Sequence, residues 1–176
     1  MSLDEIIEEL RVCNYSHFDQ FYNETKKTVF FSIASIVKDD SIIDDLMQDT
    51  YVKFLENISK YQNKTNIKAF ISTIAHNIAI NHYNREKKLV HDEELFNYIP
   101  DEKKEAKSYG EIRVMELLND LDDVAKEIVV LHVINELKFK EIAKIVDKPL
   151  GTVLWIYNKA MKDLKRKVED DNEERS

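Results

Sequence analysis

Only two glycines and two prolines occur in 176 residues. A sheet protein needs a turn every few residues and draws on those residue types to make them, so this supply argues against strands and for long helices. Hydrophobic residues make up 43% and charged residues 34%, enough apolar material for a packed core and too much for disorder to be the default. No run approaches the length of a membrane span, and the first residues, Met1-Ser2-Leu3-Asp4-Glu5, are acidic where a secretory leader is basic. The single cysteine, Cys13, excludes an internal disulfide and any cysteine-based metal site. These features describe a cytoplasmic all-α protein with no call for a metal or another cofactor, and with no membrane insertion of its own.

Apolar spacing places the helices. Leu3, Ile6, Ile7 and Leu10 form one stripe over residues 3–13, opposite Asp4, Glu5, Glu8 and Glu9. Phe18, Phe21, Tyr22, Thr25, Val29, Ile33, Ile36 and Val37 give a wide face over 17–37, where aromatic residues on the buried period are core. Over 42–58, Leu46, Thr50, Phe54 and Ile58 repeat at helical spacing, and Asp44, Asp45, Gln48, Asp49, Lys53 and Glu56 lie elsewhere on the surface. Only Asp45 and Asp49 are one turn apart, and no histidine or second acidic pair can be set against them. A solvated or protein-docking face fits better than a metal site.

Residues 59–66 read as a polar loop and 67–84 as a helix with Ile67, Phe70, Ile71, Ile74, Ala75 and Ile78 inward. Its later turns offer His76, Asn77, Asn81, Tyr83 and Asn84, followed by Arg85, Lys87 and Lys88. Asparagine both donates and accepts, tyrosine stacks on an unpaired base, and a basic end holds phosphate, so this end suits nucleic acid. A polar helix end fading into solvent gives the same pattern. His76 and His82 are six residues apart and cannot be adjacent ligands on one straight helix, which argues against zinc.

Residues 89–108 lose periodicity, contain Pro100 and are rich in acids. They read as a linker between two domains, 1–88 and 109–176, with Leu95, Phe96, Tyr98 and Ile99 available to dock on a surface. Beyond it, helices are expected over 109–119 and 122–134. Glu136 to Val168 then reads as a short helix, a tight corner at Asp147-Lys148-Pro149-Leu150-Gly151, and a longer helix. Phe139, Ile142, Ala143 and Val146 face inward on the first helix. Val153, Tyr157, Ala160, Met161, Leu164 and Val168 line one side of the second. This is the pattern of a DNA-binding helix-turn-helix, although a plain helical hairpin with a charged end shares it. Thr152, Leu154, Trp155, Asn158, Lys159 and Lys162 are the candidate DNA contacts: Asn158 for adenine, Leu154 or Trp155 for thymine methyls or sugar, the lysines for phosphate. Residues 170–176 read as an acidic, frayed tail.

The charge balance sits awkwardly with DNA binding. With 34 acids against 26 bases the net charge is -8, and a chain this acidic holds free duplex weakly at physiological salt. A local patch, or a second molecule, must supply the grip.

Three stretches in order resemble one family. IIDDLMQDTYVKFLENISKY is similar to region 2.2 of the extracytoplasmic-function class of bacterial RNA polymerase sigma factors. NIKAFISTIAHNIAINHYNREKK is similar to its regions 2.3 and 2.4, and FKEIAKIVDKPLGTVLWIYNKAMKDL to region 4.2. The resemblance implies two small helical domains, a region 2 bundle and a region 4 helix-turn-helix, joined by a linker. It implies that Asp44, Asp45, Leu46, Gln48, Asp49 and Thr50 dock on the beta-prime clamp helices of core polymerase. His76, Asn77, Asn81, Asn84 and Arg85 would lie near the promoter -10 element, and Thr152, Leu154, Trp155, Asn158, Lys159 and Lys162 at the -35 element. The partners implied are the polymerase core, including the beta flap, promoter DNA and an anti-sigma protein; the factor is no enzyme and directs one. The family's usual Lys-Ser-Arg after Gly-Thr-Val is here Leu154-Trp155-Ile156. Its usual arginine is His76, its aspartate Asn81, and its region 2.3 tryptophan Phe70. Such departures fit a divergent member that uses an AT-rich promoter or leans on a partner. A stand-alone helix-turn-helix regulator and a sigma-like protein that binds partners without reading DNA are the alternatives.

Overall fold

The computed structural model describes residues 1–92 and 109–175. Among them the chain forms eight α-helices and no strand. It divides into two compact units, Met1–Lys103 and Lys104–Ser176. The expected docking of Leu95, Phe96, Tyr98 and Ile99 lies outside the described residues, as does most of the expected linker.

In the first unit α1 spans Leu3–Arg11, α2 Phe18–Ala34, α3 Asp40–Asn57 and α4 Ile67–Asp92. Ser2 and Glu5 start α1 with a reciprocal capping box, and Asp39 caps α3 by accepting from the Ser41 amide. The core is aromatic. Phe21 stacks on Phe54 with centroids 4.7 Å apart, Phe54 meets Phe70 edge-on, and Phe70 meets Tyr61. Ile6, Ile7, Val29, Ile33, Ile43 and Ile71 close around them. Where α2 crosses α4 the buried hydroxyls of Ser32 and Ser72 lie 3.3 Å apart, small groups that let the two helices approach. The loop expected over 59–66 opens with a single 3-10 turn, Ile58–Lys60, before Tyr61 turns back into the core. Helix α4 continues to Asp92, past the expected stop at 84. Residues 85–92 contain no glycine or proline, and the Glu86 carboxylate is 3.1 Å from His82 Nε2 one turn back.

The second unit holds α5 (Tyr109–Leu118), α6 (Asp123–Val129), α7 (Phe139–Ile145) and α8 (Leu150–Arg175). Asp122 caps α6 through the Ala125 amide at 2.9 Å. The helix expected to run to 134 widens after Val129 into a π-helical turn, Val130–Ile134. Glu136 then takes φ 60°, and buried Leu137 leads the chain into α7. His132 fixes this junction. Its Nδ1 donates to the Leu137 carbonyl at 2.9 Å, and its ring stacks on Phe139 at 4.0 Å and meets Tyr157 edge-on. Helix α8 does not fray at 170 but runs to Arg175, 26 residues in all. Its last turns contain no glycine or proline, and Lys165 and Glu169 pair at 3.9 Å one turn apart.

Candidate polymerase and nucleic-acid interfaces

The corner between α7 and α8 closes without glycine. The Lys148 amide donates to the Ala143 carbonyl and the Val146 amide to that of Ile142, the bonding of a helix C-cap whose next residue is left-handed. That residue is Asp147, at φ 52°, and aspartate tolerates this region better than most. Gly151, expected in the corner, instead lies inside α8, and a Cβ built on it meets nothing within 4 Å. It therefore makes no close approach to a neighbour within the protein.

Ile142 and Ile145 of α7 and Val153 and Ala160 of α8 are buried, as are Ile128 and Leu131, in the core of this unit. Met161 and Val168, expected inward, are exposed on a helix that runs on to Arg175. The same packing turns Gly151, Trp155, Asn158 and Lys162 to the face opposite Val153 and Ala160. Trp155 is 64% exposed, and Lys159 Nζ sits 5.4 Å from its ring centroid, a cation–π contact. Thr152, Leu154, Asn158, Lys159 and Lys162 are likewise exposed. All six candidate contacts of this helix thus share its outer surface. On the side toward α6, a groove of about 680 Å³ runs between α8 and the segment Asp120–Ala125, bordered by Trp155, Ile156 and Lys159.

On α3 the candidates divide. Asp44, Asp45, Gln48 and Asp49 are exposed. Leu46 and Thr50 are not: Leu46 is 5% exposed and Thr50 0%, with its hydroxyl donating to the Leu46 carbonyl. The apolar period that forms the helix places both inside the unit. Val52, absent from the sequence-based set, is 58% exposed and lies between the acids, one turn beyond Gln48. It falls outside the Ile43, Leu46, Thr50 and Phe54 rhythm, which is the mark by which it could have been found.

On α4, Asn77, Asn81, Asn84 and Arg85 are exposed along one stripe, and His76 is half-buried. An open groove of about 580 Å³ is lined by Asp49 of α3 and by Ile78, Asn81, Asn84, Arg85 and Lys88 of α4. Residues that the sequence assigned to two separate sites therefore meet in one place. Lys88 joins them because it lies four residues after Asn84. Among the described residues no group of three histidine, cysteine or acidic side chains could hold a metal ion, and no helix is long and apolar enough to cross a membrane.

The first unit is all-helical with asparagines and an arginine exposed along its last helix, and the second is built as a helix-turn-helix, an architecture of the kind transcription factors use. The sigma-70 region 2 family model matches residues 21–89, and the sigma-70 region 4 model matches residues 111–163. The chain belongs to the sigma-70 family of transcription initiation factors, in its extracytoplasmic-function class. Its relatives include RNA polymerase sigma factor YlaC of Bacillus subtilis (strain 168), 28% identical over 137 residues, covering 74% of this chain and 79% of that protein. RNA polymerase sigma factor SigV of the same organism is 28% identical over 138 residues, covering 77% and 82%. Among solved structures, the fold is similar to that of sigma factor RpoE in complex with the anti-sigma factor NepR from Bartonella quintana. There the TM-score is 0.70 at 19% identity, covering 86% of this chain and 96% of that one. CnrH in complex with the cytosolic domain of CnrY gives 0.67 at 18% identity, covering 96% and 97%.

Proposed function

We propose that this sigma factor joins core RNA polymerase through the outward face of α3, where Asp44, Asp45, Gln48 and Asp49 surround exposed Val52. An apolar spot ringed by charge is how a transient protein interface is built, and the beta-prime clamp helices are its counterpart. Asn77, Asn81, Asn84 and Arg85, with Lys88, meet the -10 element, and Thr152, Leu154, Trp155, Asn158, Lys159 and Lys162 meet the -35 element. Residues 1–88 and 109–176 act as separate domains across the 89–108 linker, the second also touching the beta flap. The chain works in the cytoplasm and directs the catalytic core rather than catalysing a reaction itself. The observation that carries this reading is the groove shared by Asp49 and the asparagine stripe. One acid of the docking face, Asp49, lies there with Asn81 and Asn84, which supports a reading in which a promoter strand is held close to the enzyme that copies it. Capturing an unpaired base offsets an unstacking cost of a few kcal/mol.

Run-off transcription with purified core polymerase on genomic fragments tests the whole reading, through start sites that appear only when this chain is added. The Asp45→Arg, Asp49→Arg double variant tests the docking face. It is expected to fold normally, since both side chains are exposed, and to lose co-purification with core enzyme. Undiminished co-purification sinks the α3 assignment. The RpoE complex with the anti-sigma factor NepR suggests an anti-sigma protein as a further partner of this chain.

A further inference from the structure

The outer face of α8 is unusual for a helix that meets DNA: over its first two turns it is more apolar than basic. Leu154 and Trp155 are both exposed, and Lys159, one turn after Trp155, has its ammonium over the tryptophan ring. Gly151 stands one turn before Trp155 on the same face. A helical glycine costs stability relative to alanine, and here neither a positive φ nor a neighbouring atom requires it. Its missing side chain makes room outside the protein. A recognition helix offers this face to the floor of the major groove. On that floor one base feature is apolar, the 5-methyl group of thymine; the other groups are hydrogen-bond donors and acceptors, which an indole face leaves unpaired.

We propose that Trp155 is a specificity-determining residue that reads a thymine methyl group in the upstream promoter element, the Gly151 notch admitting the duplex beside it. This rests on the reading of α8 as the helix that meets the -35 element. Asn158, on the same face, supplies the polar half of the readout, so the element recognised combines thymine with adenine.

The test uses holoenzyme reconstituted from the full chain and core polymerase. An upstream element is first selected from duplexes randomised in that region. Each of its thymines is then replaced by deoxyuridine, which removes the methyl group and leaves the base-pairing edge. At one or two positions the replacement is expected to lower holoenzyme affinity about fourfold, the transfer value of one buried methyl-sized group. Trp155→Ala is expected to weaken binding to the thymine duplex and to abolish the thymine–uracil difference at those positions, while Lys159→Ala weakens binding to both duplexes and preserves it. Trp155 is largely exposed, so the variant folds, and Trp155→Phe, which keeps an aromatic face, is expected to retain part of the difference. Indifference to deoxyuridine at every thymine overturns the proposal. So does a Trp155→Ala loss confined to the association of chain with core polymerase, which would make the residue a protein contact at the groove beside α6. If the selection returns no upstream element at all, the -35 reading of α8 fails, and this inference with it.

Discussion

At Tyr51 the phenol hydroxyl lies 2.9 Å from Thr25 Oγ1, which itself donates to the Phe21 carbonyl at 2.8 Å. The threonine has one proton and has used it, so Tyr51 is the donor. Burial among Phe18, Phe21 and Tyr22 pushes the phenol up to about 12 from its ordinary 10.0. Below pH 10 the group is neutral in folded and unfolded chains alike, and its contribution is fully present. Between pH 10 and 12 the unfolded chain sheds the proton while the folded one keeps it, so stability falls as pH rises. Tyr51→Phe is expected to cost about 1 kcal/mol at pH 8 through the lost hydrogen bond. The deficit should shrink and then reverse above pH 10, read as urea midpoints across the pH series. Some alkaline loss remains in the variant, because burial, with Asp4 nearby, also raises Tyr61. Gly151 behaves in the opposite sense. With open space around its Cβ position, Gly151→Ala is expected to raise stability by up to about 1 kcal/mol while lowering promoter affinity. A thermal melt paired with a holoenzyme binding assay checks both signs.

Among the elements, those with a steady apolar period were readable from the sequence. Helices α1, α2 and α3 fall where Leu3–Leu10, Phe21–Ile33 and Ile43–Phe54 place them, and the helix-turn-helix follows from Ile142, Val153 and Ala160. Where the reading failed, backbone geometry or length decided. The π-helical turn at 130–134 leaves the apolar spacing intact, and Asp147 fills a left-handed position that a glycine would have announced. Nothing in α8 breaks it before Arg175, although its inward stripe ends at Leu164. The candidate sites were readable as helix stretches but not as faces: Leu46 and Thr50 belong to the interior, Val52 to the surface. Capping is the element-level feature most open to test. Asp122→Ala is expected to cost about 1 kcal/mol by removing the α6 cap, and Asp122→Asn to restore most of it, since asparagine caps as well. Equal melting temperatures for Asp122→Ala and the parent chain would show that the cap contributes nothing.

For the whole molecule, charge decides what the chain can do unaided. Its net charge of -8 opposes duplex, and the basic residues of α8 are partly engaged, Lys167 with Asp120 and Arg166 with Asp163. The chain by itself is therefore expected to show no saturable binding to promoter duplex at micromolar concentration and physiological salt, whereas its complex with core polymerase binds the same duplex specifically. A mobility-shift titration with and without core enzyme separates the cases; tight promoter binding by the free chain would mean that it needs no larger partner.

Helix α8 joins two opposite electrostatic characters in one rod of 26 residues, about 39 Å long. Lys159, Lys162 and Lys165 precede a final stretch containing Glu169, Asp170, Asp171, Glu173 and Glu174. Because the backbone is continuous, those carboxylates travel wherever the lysines go, Glu169 pairing with Lys165 at the join between the two halves. A phosphate chain then meets a polarity indicator: it attracts the leading half of the rod and repels the trailing half. Such a charge gradient disfavours a reversed approach to duplex.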